Sequence, residues 1–242
     1  MTRLVAAELL KLRTTRTFWA LAGSAAAIVL LIVVLSLIID DALDDHDEVE
    51  SLLSTGGIGG LLTLVLGVVA AAGEYRHGTI ASTLLVTPNR LRAVSAAIVA
   101  CLLGGLAIGL IISGVIAAIA IPWLSAKDAD LLPVGETLDL FLGATMFAAL
   151  GGALGASLGA LIRNQVAAVV GVLVLIFVVD PILVALVDTV APYTLSGLTS
   201  SMTGGDDGSI DTLPRGIAAL VWAGYTAVLG VAAAVLTSRR DI

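Results

Sequence analysis

Charge is scarce in this sequence. Asp, Glu, Lys and Arg make up 13% of its 242 residues, about half the share that a soluble domain keeps on a surface facing water. A water-facing globular domain is thereby excluded. Lysine is scarcer still: Lys11 and Lys127 are the only two, and neither follows a glycine. The chain therefore has no G-x-x-x-x-G-K-[ST] phosphate loop and binds no nucleotide by that route. Histidine is limited to His46 and His77, in different polar loops, so no buried serine has an imidazole base beside it. The single cysteine, Cys101, lies inside an apolar run and forms no internal disulfide. A net charge of -7 argues against a nucleic-acid partner, and no metal-ligand spacing appears.

What is abundant is apolar sequence: 59% of residues are hydrophobic and the mean hydropathy is +1.10. Six runs, at 18–39, 51–73, 93–121, 140–162, 166–187 and 216–236, are nearly free of charge. About 20 residues at roughly 1.5 Å each cross a hydrocarbon layer near 30 Å thick, so each run is long enough to span. The expected fold is an all-α integral membrane protein with six transmembrane helices in one domain. The first run is too long for a signal h-region and ends in acidic residues without a small-x-small cleavage site, so it reads as a retained helix. Only Arg163, Asn164 and Gln165 separate the fourth and fifth runs, which predicts antiparallel neighbours.

Basic residues set the expected orientation. With the N-terminus inside, the inner segments hold ten Lys and Arg: Arg3, Lys11, Arg13, Arg16, Arg76, Arg90, Arg92, Arg163, Arg239 and Arg240. The outer segments hold only Lys127 and Arg215. The positive-inside bias thus predicts cytoplasmic N- and C-termini in a plasma (inner) membrane. The acidic run from Asp40 to Glu50 reads as a solvated outer loop that reinforces this topology.

Within the spans, Gly155-Ala156-Ser157-Leu158-Gly159 fits the G-x-S-x-G nucleophile pattern, but no base accompanies it. Gly151, Gly155 and Gly159 instead recur every four residues, as helix-packing stripes do. Gly105 and Gly109 read the same way, and spacing alone leaves open whether such stripes pack within one chain or between two. Asp180, followed by Pro181, is the one acid inside a span. Either the fifth helix ends near Val179 with Asp180 at the outer interface, or Pro181 opens a broken, re-entrant segment that continues through 188–214 as an outer gate.

Two basic-side segments carry the most specific pattern. Residues 2–16 place Val5, Leu9 and Leu12 on one helical face, with Leu10 off the stripe, as in a helix lying at the membrane surface. Between the second and third spans, Gly78 and Thr79 mark a helix start and Pro88 a stop, giving a short helix over 79–86.

At these residues the chain resembles the permeases of ABC-2 type transporters. Glu8-x-x-Lys11-x-Arg13-Thr14-Thr15-Arg16 is similar to their N-terminal elbow helix. Glu74-Tyr75-Arg76-His77-Gly78-Thr79 through Leu84-Leu85-x-x-Pro88-x-Arg90 is similar to their first cytoplasmic loop, the coupling helix. Ser95-Ala96-Ala97 is uncharged where many of those permeases carry a lysine. The resemblance implies an exporter subunit that pairs with a second copy or a sibling and docks two separate ATPase subunits. ATP and Mg would sit on those partners, and this chain would bind no cofactor and catalyse nothing itself. It further implies that 79–86 seats in an ATPase groove, with Glu74, Arg76 and Arg90 pairing to the elbow or the partner. An apolar or amphipathic cargo would suit the uncharged helices. A secondary transporter would show midplane charges or repeated broken helices, and the sequence shows one break and no repeat. A membrane subunit with no transport role is the other alternative.

Overall fold

The structure, a computed structural model, describes residues 1–39, 46–76, 78–79, 89–127, 131–204 and 211–239. Those residues are mostly helical and contain no strand. A short helix α1 (Thr2–Thr14) precedes α2 (Arg16–Ile39), and α3 (His46–Ser54) leads into α4 (Gly57–Arg76). The long α5 (Arg90–Ala126) and α6 (Val134–Ile162) follow. Then come α7 (Gln165–Val174), a π-helical turn (Leu175–Val179) and α8 (Asp180–Leu186) in one continuous rod. A 3-10 turn (Ala191–Tyr193), α9 (Leu195–Thr203) and α10 (Arg215–Arg239) complete the chain. Six helices or helix pairs are long and apolar enough to cross a membrane, which is the architecture of a multi-pass membrane protein.

The helix α6 is the hub. Of its apolar window 72% is buried, against 11% for the α7–α8 rod, and it packs chiefly on α4, then on α5 and α10. Lipid tails are as apolar as leucine, so burial of apolar surface does not by itself draw helices together; close backbone approach does. Gly151, Gly155 and Gly159 all face α4. A Cβ at Gly151 would stand 2.8 Å from the Gly60 carbonyl oxygen, one at Gly159 2.6 Å from that of Val68, and one at Gly155 would fall on the Leu64 carbonyl. These contacts lie inside a single chain. Gly105 and Gly109 approach Ala148 and Thr145 of α6 in the same way. A polar side chain adds an interhelical bond: the Thr63 hydroxyl reaches Ala148 O of α6 at 2.8 Å as well as Gly60 O of its own helix. Phe147 and Trp222 meet edge to face, their ring centroids 5.1 Å apart.

Helix α2 packs through a single stripe, Ala25, Val29, Val33 and Leu37, each 1% exposed. Its Leu31, Leu35 and Ile38 point outward, as side chains facing hydrocarbon would.

Three features depart from the sequence reading. The second span is not one continuous run: it breaks at Thr55–Gly56, where the Ile58 amide bonds back to Thr55 O. Its first part, α3, begins at His46 inside the acidic run, so 46–50 are helical rather than loop. Asp47 and Glu48 sit in its first turn, where the helix dipole favours negative charge. Val49, Leu52 and Leu53 turn inward at 0%, 5% and 3% exposure. Finally, the fifth span does not end at Val179. Pro181 has no N–H to offer the carbonyl four residues back, and the ladder widens into the π turn just before it. The helix then continues to Leu186.

Candidate functional site at the basic face

The ends of α1, α4, α5, α6 and α7 that meet beside the N-terminus form the basic face. Along α1 the half-buried residues are Leu4, Val5, Glu8, Leu9 and Leu12, one continuous helical face, while Leu10 is exposed. This face packs on α5, and Leu12 touches the Gly104 region. Glu8 therefore shares the apolar side of the helix. Lys11 lies beside it and joins two carboxylates, Glu8 at 2.6 Å and Glu74 at 2.8 Å.

Electrostatics divide the three unequally. Burial pushes the Glu8 carboxyl above its ordinary range, only partly offset by its bond to Lys11, and the Glu74 charge adds to the rise. Burial alone would lower the Lys11 ammonium, but its bonds to Glu74 and then Glu8 outweigh that and raise it. Lys11 is held charged through Glu74 and then Glu8, while Glu8 is the acid whose burial disfavours the anion despite its bond to Lys11. Arg13 joins none of this. Its carbonyl accepts the Trp19 indole N–H at 2.7 Å.

On the far side of Glu74, the next two residues reach another element. The Arg163 guanidinium lies over the Tyr75 ring at 5.3 Å, and Arg76 donates to the Gln165 amide oxygen at 3.2 Å. Arg163 ends α6 in the left-handed region (φ 59°), its amide bonding back to Gly159 O. Asn164 then caps α7 by accepting the Ala167 amide. Tyr75 Oη and Arg163 Nη2 are buried without a hydrogen-bond partner. Gly78 adopts φ +67°, a conformation open to glycine, and the Thr79 hydroxyl donates to Glu74 O at 3.4 Å. Asn89 caps α5 by accepting the Arg92 amide at 3.2 Å, with Arg90 as its first residue. Of the loop residues singled out from sequence, His77, Leu84, Leu85 and Pro88 lie outside the described residues, as does nearly all of the 79–86 helix.

Arg163 entered the sequence reading as an inner basic residue and, with Gln165, as part of a hairpin, not as a partner of the loop. Their place on the same face as Tyr75 and Arg76 was the available signal. Beneath α1 a cavity of about 490 Å³ extends upward between α2, α4 and α5. Glu8, Lys11 and Glu74 lie at its polar end, and Phe18, Leu66 and Ala97 are among its apolar walls.

At the opposite face Asp180 is 4% exposed and reaches across to α9. It accepts the Leu195 amide at 2.7 Å, the Ser196 amide at 3.1 Å and the Ser196 hydroxyl. Thr194 caps the same helix by accepting the Gly197 amide. A carboxylate at the N-terminus of a helix satisfies amides that lack an intrahelical partner, and here it ties α9 to α8. Pro181 follows it in the first turn of α8. The buried Ser157 hydroxyl points to the Ala153 and Thr226 carbonyls, so it serves helix packing. Among the described residues no three His, Cys, Asp or Glu side chains are grouped to hold a metal ion.

No protein-family model matches the chain, and comparison with curated proteins finds no match.

Proposed function

We propose that the chain is the membrane permease subunit of an ATP-driven ABC-2 type exporter, driven by two separate ATPase subunits and paired with a second permease copy or a sibling. The observation that carries this reading is the Lys11–Glu74 bridge. It joins residues 63 positions apart, one in the elbow-like segment and one at the base of the loop between the second and third spans. In this reading α1 is an interfacial elbow and 74–90 is the coupling loop. A partner that pushes on that loop would move α1 through Glu74. It would move the α6–α7 junction through Tyr75 and Arg76, and α5 directly through Asn89 and Arg90. In this reading 188–214 is the outer gate, a re-entrant segment whose helix α9 is tied to α8 at Asp180, beside Pro181, by the carboxylate. The missing phosphate loop fits a division of labour in which ATP and Mg sit on the partner. Lipid and an apolar or amphipathic cargo would be its other contacts.

Secondary transport is the competing reading, because the second span is broken and the fifth carries a π-helical turn. An inverted repeat of three and three helices would set matching breaks on opposite faces. The Thr55–Gly56 break lies at the start of its span, whereas the Leu175–Val179 π turn lies at the middle of the fifth and does not interrupt it, so the two do not correspond. That arrangement counts against the repeat.

Two measurements test the proposal. The chain is expected to co-purify with a separately encoded ATPase and to hydrolyse no ATP alone; hydrolysis by the purified chain would sink it. For the orientation, with both termini in the cytoplasm of a plasma-membrane protein, a C101S background removes the only thiol. D211C is then expected to label from outside intact cells and T79C to remain unlabelled. The reverse pattern overturns the topology.

A further inference from the structure

We propose that the groove between α5 and α10 holds one acyl chain of an anionic phospholipid, with the lipid phosphate against the Arg92 guanidinium at the basic face. The groove encloses about 350 Å³, and Ala227, Gly230 and Ala234 of α10 line it together with Leu91, Ile98 and Leu102 of α5. The two helices run antiparallel here. Val94 and Ala234 share one buried cluster near the basic face, and deeper in, a Cβ at Gly230 would stand 3.0 Å from Ile98 Cδ1. The floor is closed and the rim open: Ala153 of α6 is buried, whereas Leu91, Val99 and Val231 are exposed. The groove therefore opens sideways, toward lipid.

Both hydroxyls along the groove are spent inside the chain. Ser95 donates to Arg92 O at 3.1 Å and Thr226 to Trp222 O at 3.0 Å. A polar ligand would find no donor there, whereas a hydrocarbon chain needs none. Length selects the occupant. From Leu91 to Leu102, and back from Ala223 to Ala234, the lining covers about 16 Å, roughly half of a hydrocarbon core near 30 Å thick. That is the depth of one leaflet. A helix of a second copy would cross both leaflets and find a groove along only half of its length. Charge selects the head. Arg92 is exposed and lies three residues before Ser95 and seven before Val99, on the face of α5 that lines the groove. Helical side chains lean toward the N-terminus of their helix, so Arg92 leans out of the groove toward the headgroups. Arg90 opens α5 and Arg239 ends α10 at the same face, and neither helix contains an Asp or Glu. Helix dipoles do not decide the matter, since one helix begins here and the other ends. Basic residues at this depth attract anionic lipid headgroups. The inference rests on the membrane-spanning architecture and not on the permease reading, so it is tested without an ATPase.

The detergent-purified chain is offered equal amounts of phosphatidylglycerol and phosphatidylcholine with matched acyl chains, and the lipid retained is counted by native mass spectrometry. One phospholipid per chain is expected, with phosphatidylglycerol favoured about tenfold. R92E, at an exposed position, is expected to remove that preference. A227F keeps the arginines and fills the groove from an exposed position; it is expected to retain neither lipid. V228F, at an exposed position outside the groove, is the matched control and is expected to bind as the parent does. Size-exclusion profiles report folding, and the headgroup preference with R92E carries the test if A227F misfolds. Four results overturn the proposal: equal retention of the two lipids, a preference that survives R92E, unchanged lipid in A227F, or equal loss in V228F. A two-chain species that A227F abolishes, in place of bound lipid, would give the groove to a second copy instead.

Discussion

Leucine at Gly155 is expected to unfold the bundle. A Cβ at this position would overlap the Leu64 carbonyl oxygen and approach the Val68 amide at 3.0 Å. Both are backbone atoms that cannot swing away as a flexible side chain would. Helices α4 and α6 would have to part along the interface where Gly151 and Gly159 also make backbone contact. Parting them stretches the Thr63 bond to Ala148 O, at present 2.8 Å, and leaves a buried hydroxyl and carbonyl less well satisfied. Overpacking typically costs 1–3 kcal/mol. Against unyielding backbone, about 3 kcal/mol or more is expected, roughly a hundredfold in the folded fraction. Gly171, whose Cβ would meet nothing within 4 Å, gives the matched control. G155L is expected to aggregate on size-exclusion chromatography in mild detergent while G171L elutes as the parent does. Equal behaviour of the two would mean that the α4–α6 contact does not hold the bundle together.

The six spans were legible because hydrocarbon imposes a coarse rule: about twenty residues without charge. Span ends were less so, and α5 runs from Arg90 to Ala126, well beyond the 93–121 apolar core. A helix need not stop where the hydrocarbon does, and charged residues such as Arg90 and Arg92 extend it into water. The break at Thr55–Gly56 was hidden for the opposite reason. Its glycines are apolar by composition and look like span, although Ser54-Thr55-Gly56-Gly57 is a run of turn-formers. The inward spacing of Val49, Leu52 and Leu53 was likewise masked by the acids around them.

At the functional faces, single residues stood out but their partners did not. Asp180 was conspicuous as an acid inside an apolar run. What occupies it, the amides of Leu195 and Ser196, lies fifteen and sixteen residues downstream beyond a turn whose path local sequence does not specify. Lys11 and Glu74 were each picked out by resemblance, yet a bond across 63 residues depends on how α1 lies against the bundle. Arg163 over Tyr75 is a tertiary event of the same kind. Periodicity encodes which face of a helix is apolar. It is silent on which polar groups at the rim will meet.

Under the proposed permease reading, aspartate at both Leu84 and Leu85 is expected to release the partner ATPase without harming membrane insertion. The two leucines lie outside the described residues, so the argument rests on the sequence motif and on the frame around it. That frame is firm at both ends: Glu74 is tied to Lys11, and Asn89 caps α5. A segment so anchored can pass force from a partner to the spans only if its own contact with the partner is stiff. Leu84 and Leu85 are the adjacent pair of large apolar side chains in the motif between Thr79 and Pro88, the ones the resemblance places in the groove. Burying each contributes roughly 1.5–3 kcal/mol, and carboxylates in their place add a desolvation cost. Docking is expected to weaken by several kcal/mol, about a hundredfold or more. Insertion should persist, since the loop lies outside the apolar runs that cross the membrane. E74A should act more gently, because a partly exposed ion pair contributes about 1 kcal/mol or less, and it should loosen α1 before it loosens the ATPase. The measurement is recovery of the ATPase with each affinity-tagged variant, at membrane levels matched by immunoblot. Normal expression with full ATPase recovery and transport in L84D/L85D would show that this loop is not the coupling element. The permease reading would then stand only on its topology and the segment of α1 bearing Glu8 and Lys11.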